Sequence, residues 1–338
     1  MSNLKLAVLG AGWWSTSFQI PAWLEFKNQV DLVAVCDRDL TKAQAIAESL
    51  HIPHAYAEAE AVFEREKPDF VDIVASIPAH EPLVNLAARY QVPVICQKPM
   101  GPDYATCQRM VQTCSQAGIP FLVHENTRWQ AGFRAMKRLL DSGVIGEPFR
   151  AKIVLNDYDN FTNQPYMKVE RRLTIADTGS HTLDVIRFFF GEAQEIYCRT
   201  QRIRSDIAGE DVATIMLRCG DVTVLNELSN STHMYDAHTQ MVIEGTSGTL
   251  ELLTEHRVRL TTAEGTRIER HVPPVYAWSQ GAHPWLTSIV PCHANLLQAI
   301  QGGNASLAET NSADNLKTMR LVYAAYDSAE RNELIECS

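Results

Sequence analysis

Two stretches of this chain hold residues whose types and spacing could do chemistry. The first is Gln97-Lys98-Pro99, which follows the apolar run Val92-Pro93-Val94-Ile95-Cys96. A lysine at the end of a buried strand, stiffened by proline, is a candidate for proton transfer. Partial burial near another cation would lower its pKa into a useful range. A surface lysine closing a strand is the plainer reading. A cis bond before proline is the exception, so trans is expected at Pro99. The second stretch is Asp177-Thr178-Gly179-Ser180-His181-Thr182-Leu183-Asp184. Asp177 and His181 lie one helical turn apart and would share a helix face or its entry turn. Asp-x-x-x-His is also a metal-ligand spacing. No second ligand pair accompanies it, so no metal is expected. The plainer reading here is a helix capped by Asp177 with a buried histidine.

A third set of residues would bind rather than react. Leu4 to Leu9 is a short apolar run that leads into Gly10-Ala11-Gly12, then Trp13-Trp14-Ser15 and a segment able to start a helix. A buried strand, a glycine turn and a helix N-terminus together make an anion site, with free N–H groups and the helix dipole facing a pyrophosphate. Ser15 stands where the dinucleotide fingerprint has its third small residue. The next apolar run, Val30 to Cys36, ends in Asp37-Arg38. An acid at the end of the second strand accepts hydrogen bonds from the ribose hydroxyls of NAD and repels the 2′-phosphate of NADP, so NAD is expected over NADP. Arg38 could stack on adenine. The alternative for Asp37 is to cap the helix Leu40 to Leu50.

The elements that must position these groups alternate. A helical pattern at Ala59 to Glu66 precedes a strand at Phe70 to Ala75. Ser76-Ile77-Pro78-Ala79-His80 reads as a loop at the strand's carboxyl end, followed by a helix to Tyr90. Repeated strand-helix-strand units predict a doubly wound parallel α/β sheet of the Rossmann kind. Ligands in such sheets bind at the carboxyl ends of the strands, where Asp37, Ser76 to His80 and Gln97-Lys98 all fall. Phe121-Leu122-Val123 is the last strand of this type, so a nucleotide-binding domain is expected over 1–123 and a second domain over 124–338. In the second, Ala131 to Ser142 reads as a helix. Phe149 to Leu155, Ile196 to Ile203, Val212 to Leu217, Val222 to Leu228, Gln240 to Glu244, Thr249 to Leu253 and Val258 to Thr262 read as strands of a large, mostly antiparallel open sheet. Gly220-Asp221 and Gly245-Thr246-Ser247-Gly248 supply hairpin turns. Ala294 to Gln301 and Ala313 to Glu330 read as closing helices. Tyr276, Trp278 and His283-Pro284-Trp285 add aromatic residues to a loop before them.

Bulk properties narrow the function. The 338 residues are 46% hydrophobic and 21% charged, with a formal net charge of −10 and no basic tract. Nucleic acid and anionic membrane are therefore poor partners. No apolar run approaches a membrane span and no signal-peptide pattern opens the chain. Eight cysteines without a Cys-x-x-Cys pair suit buried thiols in a reducing cytoplasm.

Taken together, Gly10-Ala11-Gly12, Cys36-Asp37-Arg38, Asp72-Ile73-Val74, Ser76-Ile77-Pro78 with His80, and Gln97-Lys98-Pro99 resemble the glucose-fructose oxidoreductase / inositol dehydrogenase (Gfo/Idh/MocA) family. That family usually has Glu-Lys-Pro in the last motif, so Gln97 removes a negative charge. His124-Glu125-Asn126-Thr127-Arg128-Trp129 is similar to the family's Asn-x-Arg-aromatic segment, and its first three residues resemble the sugar-oxidising branch. The resemblance implies a cofactor site that draws on Gly10, Gly12, Trp13, Trp14, Asp37 and Arg38. To these it adds Ser76, Ile77, Pro78, His80, Gln97, Lys98 and Asn126. A sugar site would use Lys98, Glu125, Arg128, Trp129, Asp177 and His181. The catalytic residues implied are Lys98, His181 and Asp177, with His181 or Lys98 taking the proton and Asp177 orienting His181 or holding substrate.

The activity implied is NAD-dependent oxidation of a sugar hydroxyl, at the anomeric C1 of an aldose, to a lactone. The same residues would serve an inositol or polyol dehydrogenase, or an NADP-dependent carbonyl reductase. Some relatives are non-catalytic nucleotide-binding regulators. A homodimer or homotetramer, joined through the open sheet face, is also implied.

Overall fold

β1 (Leu4–Leu9) carries apolar side chains on both faces, and Leu6 to Leu9 are at most 1% exposed. Such a strand is stable only between two layers. In the computed structural model, which describes residues 2–233, 238–280 and 284–337, those layers are helices. β2 (Val30–Cys36), β3 (His54–Tyr56), β4 (Phe70–Ile73), β5 (Val94–Gln97) and β6 (Phe121–His124) complete a parallel sheet ordered β3-β2-β1-β4-β5-β6. The connecting helices are α1 (Ile20–Trp23), α2 (Leu40–Leu50), α3 (Ala59–Glu66), α4 (Ile77–Arg89) and α5 (Tyr104–Ala117). Asp39 opens α2 by accepting the N–H of Thr41 at 3.1 Å, and Asp103 opens α5 by accepting that of Thr106 at 2.7 Å. Strand order reverses between β1 and β4, which makes their carboxyl ends the crevice where such sheets take ligands.

Three local features differ from the sequence expectation. The segment after the glycine turn enters its helix through a π-type turn, Ser15–Gln19. Ser76 to His80 is not a free loop, because α4 begins at Ile77 with Pro78 in its first turn, where a missing N–H is harmless. The Lys98–Pro99 bond is cis.

The chain folds into two compact units, Met1–Glu125 with Val275–Leu316, and Asn126–Pro274 with Lys317–Ser338. The second unit is built on β7 (Pro148–Asn156), β8 (Glu195–Gln201), β9 (Val212–Cys219), β10 (Val222–Ser229), β11 (His238–Gly245), β12 (Gly248–Leu253), β13 (Arg257–Thr262) and β14 (Gly265–Arg270). With β15 (Ile335–Glu336) they form one nine-stranded sheet, ordered β14-β13-β12-β11-β7-β10-β9-β8-β15. Every pairing is antiparallel except β7 with β10. Strict alternation along β9 buries Ala213, Ile215, Leu217 and Cys219 on one face. On that face α6 (Ala131–Asp141) packs on β12 and β13, and α7 (Ser180–Phe190) packs on β10.

The chain then returns to the first unit. α8 (Ile289–Gln301) starts earlier than its apolar periodicity predicts, at Ile289. Ile289 and Val290 join Ala22 and Leu286 in a small core, with Trp14, Phe18, Tyr276 and Trp278 packed against it. His283 lies outside the described residues, as do the side chains of Pro284 and Trp285. The boundary between units falls within α9 (Ser312–Arg331).

Candidate active site

In the first unit, the residues singled out for the nucleotide gather at the carboxyl ends of the strands. Gly10 has φ +122°, and a Cβ there would stand 2.4 Å from the carbonyl oxygen of Val74, just past β4. Only glycine lets the turn after β1 press against the end of β4. At Gly12 a Cβ would meet no atom within 4 Å, so bare backbone faces open space. Asp37, half-buried past the end of β2, accepts the N–H of Ala11 at 2.9 Å through Oδ2 and that of Asp39 at 3.0 Å through Oδ1. It therefore holds the glycine turn, while the cap of α2 falls to Asp39. A dinucleotide fits this edge, with main chain for the pyrophosphate and a fixed carboxylate for a ribose. Arg38 and Ser76 are exposed beside it. Trp13 is 39% exposed on the turn, whereas Trp14 packs inward.

Lys98 is half-buried after β5, and its main-chain N–H is held by Gln97 Oε1 at 2.8 Å. His80 is buried at the start of α4. Its Nδ1 is 3.1 Å from the Met100 carbonyl oxygen and its Nε2 3.1 Å from that of Ala75. Burial pushes its imidazole pKa down. That geometry makes His80 a brace between the start of α4 and the turn carrying Lys98.

In the second unit, the Asp177-to-Asp184 motif lies on a helical run that enters α7 through a π-type turn, Ile175–Gly179. From Thr174 to Phe190, the residues that escape burial are Ala176, Asp177, His181, Phe188 and Phe190. Asp177 and His181 are thus the polar groups this buried helix presents outward. The run is clamped at its start. Glu210 accepts the N–H of Leu173 at 3.1 Å and of Ile175 at 3.0 Å, and also the Tyr326 hydroxyl proton at 2.7 Å. The Tyr326 oxygen takes the N–H of Ala176 at 3.0 Å. These bonds satisfy donors that a helix start leaves open.

Arg128, expected at the sugar, pairs with Asp184 inside the second unit. Its Nε and Nη2 reach the two oxygens of Asp184 at 2.7 and 2.6 Å, with both side chains buried. A bidentate pair of this kind fixes α7 beneath His181. Trp129 is half-buried under the Arg134 guanidinium, 3.6 Å from its ring centre. Glu125 and Asn126 are buried where the chain passes from one unit to the other. Two residues escaped the sequence reading, Asp159 and Tyr166, on the segment after β7. Burial, then the charges of Asp157 and Asp177, raises the Asp159 carboxyl; burial, then Asp177, raises the Tyr166 hydroxyl. The polar and aromatic run Asp157-Tyr158-Asp159-Asn160-Phe161 was the signal for Asp159. Among the described residues, no group of three or more His, Cys, Asp or Glu is placed to hold a metal.

Comparison with known proteins bears on both units. Residues 4–125 match the model of an oxidoreductase family with an NAD-binding Rossmann fold, and residues 133–251 match the GFO/IDH/MocA C-terminal domain. A D-apiose dehydrogenase of Rhizobium rhizogenes is 36% identical, over 99% of this chain and 98% of its own. One from Paraburkholderia graminis is also 36% identical, over 99% and 90%. A crystal structure of an oxidoreductase from Agrobacterium radiobacter, in complex with NAD+, L-tartaric acid and magnesium, superposes with a TM-score of 0.94 at 35% identity, covering 99% of each chain. The Rossmann unit and the second, antiparallel sheet thus both match one group of enzymes, and this chain belongs to the GFO/IDH/MocA family of NAD-binding oxidoreductases.

Proposed function

We propose that this chain oxidises a sugar hydroxyl, the anomeric C1 hydroxyl of an aldose, to a lactone with NAD. The observation that carries the reading is the outward pair Asp177 and His181 on an otherwise buried helix. The names of the full-length relatives point to a branched pentose, D-apiose, as the first substrate to try. NAD, when bound, supplies the hydride acceptor. His181 accepts the hydroxyl proton through its imidazole, and Asp177, one turn earlier, orients that ring. Lys98 presents an ammonium to the oxygen that loses its proton. Proton transfer of this kind contributes about 10²–10⁴-fold. Asp159 and Tyr166 add polar groups for sugar hydroxyls. Glycine-turn main chain and Asp37 bind the cofactor.

Purified protein incubated with NAD or NADP and a panel of pentoses, hexoses, apiose and inositols tests this through absorbance of the reduced nicotinamide. Turnover of an aldose with NAD is expected, and K98M should abolish it while still binding NAD. Activity confined to inositols would replace the aldose reading. Silence across the panel with tight NAD binding would favour a regulator.

Self-association through the second unit's sheet belongs to the same proposal. Register places Met216, Leu225, Lys152, Val242, Glu251, Arg259 and Ile268 in one row across the uncovered face. Met216 is 46% and Ile268 51% exposed, apolar area that a second copy would cover. Cytoplasmic residence suits the eight buried thiols. Among the described residues, no helix is long and apolar enough to cross a membrane.

A further inference from the structure

Gln97, next to Lys98, is buried in a network whose hydrogen-bond directions its neighbours fix. A closed ring of buried groups lies inside the first unit. Asp72 on β4 is fully buried, and its Oδ2 accepts from Trp23 Nε1 at 2.6 Å and from Gln19 Nε2 at 2.8 Å. Gln19 Oε1 accepts from Gln97 Nε2 at 3.3 Å, and Gln97 Oε1 accepts the N–H of Lys98 at 2.8 Å. Gln97 Nε2 also lies 3.4 Å from His124 Nδ1. His124 meets His293 edge-on at 4.8 Å, and His293 stacks on Trp23 at 3.9 Å, which returns the ring to Asp72.

One group sets every direction in that ring. An ionised carboxylate only accepts hydrogen bonds. Gln19 must therefore turn Nε2 toward Asp72, which leaves its Oε1 facing residue 97. That oxygen needs a donor, and Gln97 has one. Donating from Nε2 turns the other end of Gln97, Oε1, onto the main chain of Lys98. A glutamate at 97 would set acceptor against acceptor and place a second negative charge in a buried ring. Burial lifts the Asp72 carboxyl to about 6, while the donors Trp23 Nε1 and Gln19 Nε2 oppose the rise and favour the charged form. Cys96 and His293 are kept uncharged, chiefly by burial.

We propose that Asp72 supplies the negative charge behind Lys98, that Gln19 and Gln97 are the positioning residues linking the two, and that this chain accepts a carboxylate at 72 or at 97 but not at both. The inference rests on Lys98 being a reacting group. Two amides carry the orientation set by Asp72 forward to the lysine.

A mutant cycle of D72N, Q97E and D72N/Q97E tests this, with K98M alongside. Thermal unfolding and NAD-linked turnover of D-apiose are the readouts. Q97E alone should lower both the unfolding midpoint and kcat. D72N should keep or raise its midpoint and keep its NAD affinity, yet lose about tenfold or more in kcat, with KM little changed, because Lys98 is no longer held in place. In D72N/Q97E one carboxylate remains and Gln19 can turn its amide over, so the midpoint should recover and kcat should return to within about threefold of wild type. A D72N enzyme with normal kcat, a harmless Q97E, or a double variant no better than Q97E would each overturn the proposal. K98M turning over at the wild-type rate would instead remove the role of Lys98 itself. An inactive K98M beside a flat cycle would sink this inference alone.

Discussion

At the scale of single residues, Asp37 and Asp72 show what a carboxylate does in two settings. Asp37 keeps its two oxygens on the N–H groups of Ala11 and Asp39, at the edge where a ribose would lie. Replacing it with serine should weaken NAD binding by about tenfold and NADP binding far less, since only the latter brings a phosphate that Asp37 repels. Titration of the D37S variant with both nucleotides decides it, and equal losses would remove Asp37 from the ribose. Asp72 is buried and titrates near 6 in the folded protein. Its unfolded value is near 3.9. Between those values the folded chain holds a proton that the unfolded chain has released, so stability falls as pH rises through the window. Each pK unit is about 1.4 kcal/mol, so full ionisation costs up to about 3 kcal/mol. D72N should be more stable than wild type at pH 8 and show no advantage at pH 3.5, as read by denaturant unfolding. An equal difference at both pH values would mean that charge is not the cause.

At the scale of elements, two helices do the positioning, and each is fixed by partners far away in the chain. α4 is held at its start by His80, which reaches the Met100 carbonyl beyond Lys98. α7 is pinned by Arg128 on Asp184 and, upstream of it, by Glu210 and Tyr326. Removing one member of a buried pair leaves the other charge uncompensated, which typically costs about 3–5 kcal/mol. D184A should show a loss of that size in urea unfolding, and a loss under about 1 kcal/mol would mean the pair does not hold the helix. These partnerships explain what was legible in the sequence. Buried strands such as Leu4–Leu9 announce themselves because burial on both faces forbids polar residues. α2 and α3 follow from their periodicity. β3, β14 and β15 did not stand out: β3 spans three residues, β15 two, and β14 is exposed throughout, so none carries an apolar pattern. The surroundings of His80 and Arg128 were hidden for a different reason. Residue type marked both as binding groups, and their partners, Met100 and Asp184, are revealed only once the chain folds. Asp72 was legible as part of a strand motif, but not the convergence of Trp23 and Gln19 on it.

At the scale of the whole molecule, the nine-stranded sheet carries its helices on one face among the described residues, and the proposal is that a second copy covers the other. The row from Met216 to Ile268 mixes apolar side chains with the Glu251–Arg259 ion pair, a pattern suited to a copy of itself. Light scattering on eluted protein should give a dimer or tetramer, and M216E should shift it toward monomer. A wild-type monomer at micromolar concentration would count against the sheet as an interface. The first unit poses the opposite problem, one of timing. Its sheet is finished only when Thr310 closes on the free edge of β6, donating its hydroxyl to the Val123 carbonyl at 2.7 Å and accepting the Val123 N–H at 2.9 Å. Trp23 likewise waits for His293. A nascent chain leaving the ribosome must therefore carry an open strand edge and an uncovered tryptophan while the whole of 126–274 is synthesised. Open edges recruit other strands. A fragment ending at residue 125 should thus aggregate when expressed alone, and joining residues 275–316 to it through a short linker should restore a soluble nucleotide-binding module.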